Sequence, residues 1–300
     1  MTAFNMRMRE RYERLARQLE AQPEYRVLRR IPRPDEVWCR SSPIADRRSI
    51  TKIAVLDTET TGLDPDRHKI VELAIVKMSI CDRTGDLLDI SPPASFLEDP
   101  KEPLSLEIEA LTGLTDSDLA GRSFDEGMVA EAFDDVDCIL AHNAAFDFSF
   151  FRKRFPRLKH PWCCSMTDVD WRSHDLDGGR SVGALLASAG HFPEVAHRAG
   201  PDAWAVSILL AMTARDGRTI AAHALERARK PTFRLFAERA PFALKETLKG
   251  AGYRWCSKRK AWSLTAEPER LANETIWVKS LCPAIQPQIE QRDWYDRYNG

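Results

Sequence analysis

IAVLDTETTGL, residues 53–63, is an apolar run that ends in two closely spaced carboxylates. Residues 53–56 are typical of a buried strand, and Asp57 and Glu59 follow them directly. Because side chains alternate along a strand, both carboxylates project from the same face. A rise of about 3.3 Å per residue separates them by about 7 Å along the strand, so both can reach one divalent cation. Two solvated acids at a strand end are the alternative if this stretch stands alone.

The elements around this strand predict a mixed α/β fold. Further strands are expected at residues 69–80, 87–96, 138–141 and 162–166, with a turn at Thr84-Gly85. Helices are expected at residues 5–21, 145–155, near 180–190 and at 200–214. Three consecutive strands followed by alternating strands and helices indicate a mixed sheet with helices on its faces.

Two further acids lie at the starts of predicted helices. Asp147 ends AHNAAFD, residues 141–147, directly after another buried strand. Asp202 lies in HRAGPDA, residues 197–203, five residues after His197. Hard oxygen ligands from several strand and helix ends suit Mg²⁺ or Mn²⁺ rather than zinc. Four converging acids without a cation would repel and raise each other's pKa values, so we expect a bound cation.

The composition is that of a folded chain that neither spans a membrane nor carries structural disulfides. Of the 300 residues, 43% are apolar and 30% are charged, which excludes a disordered chain. No window approaches the ~18 uninterrupted apolar residues of a membrane span, and the charged start at residues 6–11 is not that of a signal peptide. The seven cysteines are odd in number and form no C-x-x-C pair. We therefore expect reduced thiols in a cytoplasmic protein.

Charge divides the chain into three segments. Residues 1–50, a predicted helix and a proline-rich connector, carry a net charge of +5; residues 51–215 carry −12; and residues 216–300 carry +6. We expect these segments to be an N-terminal appendage, a central domain and a basic C-terminal module. An acidic centre between basic ends fits a cation-holding site with anion-attracting flanks, although charged runs are often only solvated faces.

Three motifs resemble those of the DnaQ-like, DEDDh 3′→5′ exonucleases. They are DTETTG at residues 57–62, HNAAFD at 142–147 and His197-x-x-x-x-Asp202. Supporting matches are HKIVELA at 68–74 and LTGLT at 111–115. Gly200-Pro201 departs from the Leu-Asp that relatives often carry, but the spacing from histidine to aspartate is kept. The resemblance covers roughly residues 51–215 and implies an exonuclease domain with a ribonuclease H-like fold, a mixed sheet flanked by helices.

The resemblance also implies hydrolysis with two divalent cations, Mg²⁺ or Mn²⁺. Asp57 would lie between both cations, Glu59 and Asp202 would complete one site, and Asp147 would hold the second through water. The cations would lie roughly 3.5–4 Å apart at the scissile phosphate. His197 would be the general base for the attacking water, a role that suits imidazole, whose ordinary pKa is ~6.5. A packed or capping histidine is the alternative.

Four other residues resemble substrate contacts of the family by their positions. Thr60 and Leu63 correspond to loop residues that hold the terminal nucleotide, with Leu63 between the last two bases. Asn143 and Phe146 correspond to neighbours of the terminal sugar and base, and stacking on an aromatic ring tolerates any base. Phe146 precedes three more phenylalanines within residues 148–151, so core packing is the alternative for its ring.

The C-terminal segment predicts a small α+β module that is rich in basic residues. Residues 229–260 hold ten Lys/Arg and two Glu, and they indicate a helix ending at glycine and then a β-hairpin with a basic turn. The pattern Lys-x-x-Gly-x-x-Trp…Lys-x-Trp is similar to an accessory module of some bacterial exonucleases of this class. Interleaved cations and rings suit single-stranded nucleic acid. A mini-domain whose tryptophans form its own core is the alternative.

We therefore expect a cytoplasmic, metal-dependent 3′→5′ exonuclease that releases nucleoside 5′-monophosphates. Single-stranded DNA 3′ ends are the favoured substrate, with a polymerase or repair protein as a possible separate partner and no membrane partner. An exoribonuclease that trims RNA is the rival enzyme. A non-catalytic, polymerase-associated nucleic-acid-binding subunit is the rival from another class, and the complete set of four acids and His197 argues against it.

Overall fold

The structure, a computed structural model, describes residues 3–37 and 49–298. Within these residues the strands are β1 (Arg29–Arg30), β2 (Ile50–Thr60), β3 (Ile70–Cys81), β4 (Leu87–Ile90), β5 (Ala94–Leu97), β6 (Cys138–Ala141), β7 (Trp162–Cys164), β8 (His191–Phe192), β9 (Thr232–Glu238), β10 (Arg254–Cys256), β11 (Ala261–Ala266) and β12 (Gln286–Arg292). The α-helices are α1 (Ala3–Glu20), α2 (Leu106–Thr112), α3 (Asp116–Leu119), α4 (Glu126–Phe133), α5 (Ala144–Arg154), α6 (Val182–Ser188), α7 (Ala199–Ala211), α8 (Ile220–Arg229), α9 (Lys245–Gly250) and α10 (Pro268–Leu281). Residues 38–48 of the predicted connector, including Pro43, lie outside the described residues.

Six strands form the main sheet, in the order β4-β3-β2-β6-β7, with β5 also paired to β3. β3 runs antiparallel to β2, β4 and β5, whereas β6 runs parallel to both β2 and β7. Helices α6, α7 and α8 cover one face, and α4 and α5 cover the other. The predicted mixed sheet flanked by helices is confirmed.

The central strand β2 separates two apolar cores. Ile53 and Val55 belong to the core under α7, and Ala54 and Leu56 belong to the core under α5. All four side chains are buried because helices cover both faces, which explains why this run is continuously apolar rather than alternating. The polar residues that follow continue the same alternation at the end of the strand, between the two helix layers.

Two strand predictions differ from the structure. The single strand expected at residues 87–96 is wrong, because β4 ends at Ile90 and β5 begins at Ala94. Pro92 and Pro93 lie between them, and proline lacks the N–H that a strand ladder requires. The strand expected at residues 162–166 is also shorter, ending as β7 at Cys164.

The N-terminal segment is attached through a short pair of strands. β1 runs parallel to β8, and Arg29 forms ion pairs with Glu13 and Glu20 of α1. The apolar stripe of α1 remains largely exposed at Tyr12, Leu15 and Leu19. This helix therefore does not bury its stripe against the described residues.

A second, antiparallel sheet lies in the C-terminal segment, in the order β10-β11-β9-β12. Helices α9 and α10 pack on one of its faces, with Leu235, Leu248 and Val278 in the core between them. Helix α9 ends at Gly250, and β10 and β11 form a hairpin, in agreement with the helix and hairpin expected from the sequence.

The packing moves the start of the C-terminal module, which we expected at residue 216. Helix α8 lies in the core of the main sheet, because its alanines at positions 221, 224 and 228 form one small-residue face that allows close packing. The chain end also returns to the main domain, where buried Arg297 and Asp168 form an ion pair at 2.6 Å. We therefore propose a module of residues 231–292, with residues 293–298 belonging to the main domain.

The described part of the chain contains six cysteines, and all six are free thiols. Five of them are buried, and Cys39 lies outside the described residues. No helix within residues 3–37 and 49–298 has both the length and the apolar content that crossing a bilayer requires.

Candidate active site

Three carboxylates meet at the C-terminal end of β2. Asp57 and Glu59 continue the row of Ile53 and Val55 toward α7, since alternate residues of a strand share a face. Asp202 lies in the first turn of α7. One oxygen of each carboxylate lies within 4.8 Å of the corresponding oxygens of the other two. This spacing lets a single oxygen-loving cation contact all three.

Asp147 reaches the same strand end from the other side. It lies in the first turn of α5 and is buried, and its Oδ1 accepts a hydrogen bond from Thr58 Oγ1 at 2.8 Å. Because Thr58 faces the opposite side of β2 from Asp57, Asp147 and Asp202 approach from opposite faces of the sheet. Three of the four predicted acids thus form a cluster, and Asp147 lies beside it. The charge of Asp147 still raises the pKa of Asp57.

His197 lies beside the cluster and is exposed to solvent. Its backbone N–H donates to Asp202 Oδ2 at 2.9 Å. Its φ is 60°, a left-handed conformation that is uncommon for residues other than glycine. The bond to Asp202 ties this strained residue to the first turn of α7, so the imidazole is kept close to the carboxylates.

A buried ion pair that the sequence did not predict lies next to the cluster. Glu72 is 1% exposed and faces Glu59 across the β2–β3 pair. Its Oε2 accepts from Arg198 Nε at 2.8 Å and from the backbone N–H of Ala199 at 3.2 Å. Glu72 therefore anchors the start of α7 to the main sheet. The signal was an acid within the otherwise apolar run at residues 70–76, because an acid is rarely fully buried without a partner.

Burial raises the pKa values of all four acids, and repulsion from the other carboxylates of the site adds to the rise at Asp57 and Glu59. Burial raises the pKa of Asp57 well above its usual range, and the charges of Asp147 and Asp202 raise it further. Burial and the Asp202 charge raise the pKa of Glu59 to about 8. Burial raises the pKa of Asp147 to about 7, although the hydrogen bond from Thr58 opposes this. Burial also raises the pKa of Asp202. The ionised cluster needs a compensating positive charge, and its all-oxygen ligands fit Mg²⁺ or Mn²⁺.

We expect the metal-free protein to lose stability as the pH rises and divalent metal to restore it. Unfolded carboxyl groups have pKa values of about 4, and the native pKa of Glu59 is about 8. Between these values the native state binds more protons than the unfolded chain, so its stability falls with rising pH. Metal ions bind the ionised carboxylates. The increase in melting temperature from EDTA to Mg²⁺ should therefore be larger at about pH 8.5 than at about pH 5.5. An equal increase at both pH values would contradict a cation site at these acids.

The Glu72–Arg198 pair predicts a specific cost of mutation. Arg198→Ala leaves Glu72 buried without a counter-charge, and we expect a loss of about 2–3 kcal/mol in the free energy of unfolding. This lies below the usual range for buried pairs because the Arg198 side chain is 36% exposed. Urea unfolding in EDTA measures the change. Arg33→Ala breaks an exposed ion pair with Glu194 and should cost about 1 kcal/mol or less; equal losses in both variants would refute the prediction.

The four residues expected to contact substrate differ in their exposure to solvent and in their hydrogen bonds. Leu63 is 84% exposed, whereas the Thr60 hydroxyl is engaged with the Gly62 carbonyl at 2.7 Å. Asn143 is exposed and directly precedes α5, with a φ of 68°. The Phe146 ring is half-buried against Phe150, with centroids 5.0 Å apart. Part of this ring therefore packs on the core, and part remains accessible.

The turn after β2 has little space. A Cβ on Gly62 would lie 2.6 Å from the ring of His68, a separation that atoms do not adopt. His68 Nδ1 accepts from the backbone N–H of Asp64 at 3.1 Å. Glycine at position 62 therefore lets the histidine pack against the turn that carries Leu63.

Parts of this chain are similar to much longer bacterial polymerases. The chain is 37% identical over 110 residues to a DNA polymerase III PolC-type from Halalkalibacterium halodurans, a match that covers 36% of this chain and 7% of the relative. It is 31% identical over 125 residues to a DNA polymerase III PolC-type from Thermotoga petrophila, covering 41% of this chain and 8% of the relative. The chain therefore spans less than a tenth of the length of these relatives.

Two solved structures are also similar. Exonuclease X in complex with 5′ overhanging duplex DNA is 26% identical, with a TM-score of 0.40, covering 57% of this chain and 98% of that chain. The zinc-bound complex of E. coli ExoI with single-stranded DNA is 17% identical, with a TM-score of 0.45, covering 61% of this chain and 48% of that chain.

A family model matches the domain that holds the carboxylates. The model described as RNase_T: Exonuclease matches residues 54–210, more than half of the chain. The matched segment runs from the central strand β2 nearly to the end of α7, and it includes both predicted histidine motifs. The chain therefore belongs to this exonuclease family, and the family match lies on the mixed α/β domain that holds the carboxylates.

Proposed function

We propose that this exonuclease removes nucleoside 5′-monophosphates from the 3′ ends of single-stranded DNA, using two divalent cations, Mg²⁺ or Mn²⁺. The observation that carries the proposal is the convergence of Asp57, Glu59 and Asp202 within 4.8 Å. Half-buried acids at this separation repel each other, so their ionised form is costly unless positive charge is present. Divalent metal is the cofactor that the family implies, and the number and identity of the ions belong to the proposal.

The positions of the four acids suggest which of them would hold each cation. Asp57, Glu59 and Asp202 would hold one cation through their facing oxygens, and Asp57 and Asp147 would hold the second. The chemistry that the cations supply when bound is charge neutralisation at the scissile phosphate and activation of the attacking water. The hydrogen bond from Thr58 would orient Asp147.

We propose that His197 is the general base. Its exposed imidazole would accept the proton of the attacking water, whose oxygen forms the new bond to phosphorus. The bond from phosphorus to the 3′ oxygen of the preceding nucleotide breaks, and that oxygen regains a proton as the 3′ hydroxyl of the shortened strand. The backbone bond from His197 to Asp202 supports this role because it fixes the histidine next to a cation ligand.

DNA is favoured over RNA because the PolC-type relatives are DNA polymerases. An exoribonuclease would use the same acids and histidine, so it is the alternative. Because of the same similarity to PolC-type polymerases, we also propose a polymerase or repair protein as partner. The six free thiols of the described part fit a reducing compartment, and we propose the cytoplasm.

The test is a time course on matched 5′-labelled single-stranded DNA, single-stranded RNA and blunt duplex DNA. Each is incubated with Mg²⁺, with Mn²⁺ and with EDTA. We expect a ladder that shortens from the 3′ end, depends on metal and forms fastest on single-stranded DNA. Faster digestion of RNA would select the exoribonuclease, and digestion that persists in EDTA would refute the metal mechanism.

A further inference from the structure

The two tryptophans of the C-terminal hairpin have different environments. We use the name basic hairpin for β10, β11 and the turn at residues 257–260. Trp262 packs into the core of the second sheet, whereas its cross-strand partner Trp255 is 54% exposed. The two rings are in contact, with centroids 5.7 Å apart and planes at 68°. Trp255 is therefore a solvent-facing ring that rests on a core residue and loses little freedom when something stacks on it.

The basic hairpin also presents positive charge that the protein itself does not neutralise. Within the described residues, Arg254, Lys260 and nearby Lys249 are exposed and form no ion pair. In contrast, Arg259 pairs with Glu290 at 3.1 Å and stacks on Phe236 with its guanidinium 4.5 Å from the ring centroid. Arg259 is therefore engaged within the module, whereas the other cations remain available to a partner.

One of these cations, Arg254, lies on the same sheet edge as the exposed ring. β10 is an edge strand of the second sheet, and Arg254 directly precedes Trp255. Adjacent residues of a strand point to opposite faces, so this edge carries a guanidinium on one side and an aromatic ring on the other. A flexible chain that alternates anionic and planar groups can bind the guanidinium and stack on the ring at the same time.

We propose that the basic hairpin binds an internal segment of the same single strand whose 3′ end is hydrolysed at the carboxylate cluster. The inference rests on the proposed function and adds a second contact to it. Phosphates would meet Arg254 and Lys260, and a base would stack on Trp255, contacts that require no particular sequence. A single strand fits this edge better than a duplex, because the bases of a duplex are already stacked on each other.

The test measures binding separately from cleavage. Fluorescence anisotropy in EDTA gives the affinity for a labelled strand of about 30 nucleotides, longer than the roughly 4–16 nucleotides that one small module covers. Trp255→Ala should weaken binding by about 5- to 30-fold, the low to middle range for loss of one base stack. Tyr25→Ala is the matched control, since Tyr25 is 58% exposed and lies in the N-terminal segment, and its affinity should equal that of the wild type.

A second variant tests the cations without altering an aromatic residue. Arg254→Gln/Lys260→Gln should reduce the slope of log K against log salt concentration by about 1.4, the value for two lost contacts to single-strand phosphates. Lys279→Gln removes an exposed charge from α10 in the same module and should change the slope by less. Melting temperatures within about 2 °C of the wild type would show that each variant is folded.

Cleavage distinguishes failure of this inference from failure of the proposed function. With Mg²⁺, Trp255→Ala should digest a strand of about 4 nucleotides at the wild-type rate and the long strand more slowly when substrate is limiting. Wild-type affinity of Trp255→Ala for the long strand would overturn the inference while digestion continues. An equal loss of affinity for blunt duplex would overturn the stacking contact. Absence of digestion by the wild-type protein would instead overturn the proposed function.

Discussion

Asp57→Asn is expected to lower the rate of digestion by about 10³-fold or more, because it weakens cation binding at the residue proposed to hold both ions, and metal sites contribute several kcal/mol to the transition state. The same change should raise the melting temperature of the metal-free protein. Burial and the charges of Asp147 and Asp202 hold the pKa of Asp57 well above its usual range, so folding must either protonate this carboxyl or leave it ionised among other acids, and asparagine removes that cost. Activity and stability should therefore change in opposite directions, a result that general misfolding cannot produce.

The measurement is the initial rate on 5′-labelled single-stranded DNA in Mg²⁺, beside thermal melting in EDTA and in Mg²⁺. Asp89→Asn is the matched control, because Asp89 is an exposed acid on β4 of the same sheet. It should keep the wild-type rate and the wild-type response of melting temperature to Mg²⁺. A wild-type rate in purified Asp57→Asn protein would refute the proposed role of the carboxylate cluster.

His197→Gln is expected to lower kcat by about 10²- to 10⁴-fold, the usual contribution of general acid–base catalysis. Because the hydrogen bond from His197 to Asp202 is made by the backbone N–H, the variant keeps that bond and should leave the carboxylates in place. It should retain the increase in melting temperature caused by Mg²⁺. The rise of kcat with pH at saturating metal should become flatter, since the titrating base has been removed.

The control for this prediction is His174→Gln, because His174 lies outside the carboxylate cluster and its ring contacts that of His223 at a centroid distance of 5.1 Å. It should leave kcat and its pH profile unchanged. An unchanged pH profile in His197→Gln would exclude the general-base role, even if the rate falls. Loss of the metal-induced stabilisation would instead show that His197 supports the cation site.

Particular residues show how far local pattern predicts this protein. The apolar run at 53–56 and the acids after it indicated a strand end rich in carboxylates, and β2 has that form. The alternation along β2 was also predictable, since it follows from strand geometry. Which helix covers each face was not predictable, because neither α5 nor α7 has a single apolar stripe that would indicate its side of the sheet. The structure places Asp202 on one face and Asp147 on the other.

Pairings over long sequence separations were the part that pattern missed. Glu72 and Arg198 are 126 residues apart, and neither residue alone indicates its partner. The sequence alone also does not indicate which of the two tryptophans of the basic hairpin is buried in the core. Packing of α9 and α10 on one face of that sheet covers Trp262 and leaves Trp255 exposed on the edge strand.

The amino-acid sequence was sufficient for the kind of chemistry, because residue type and local spacing specify which groups can bind cations, accept protons or form a buried strand. Spatial convergence depended on the tertiary structure. The distances among Asp57, Glu59 and Asp202, the bond from Thr58 to Asp147 and the raised pKa values all require packing that brings distant segments together and excludes water. Burial is a property of the whole fold, so no local stretch of the chain contains it.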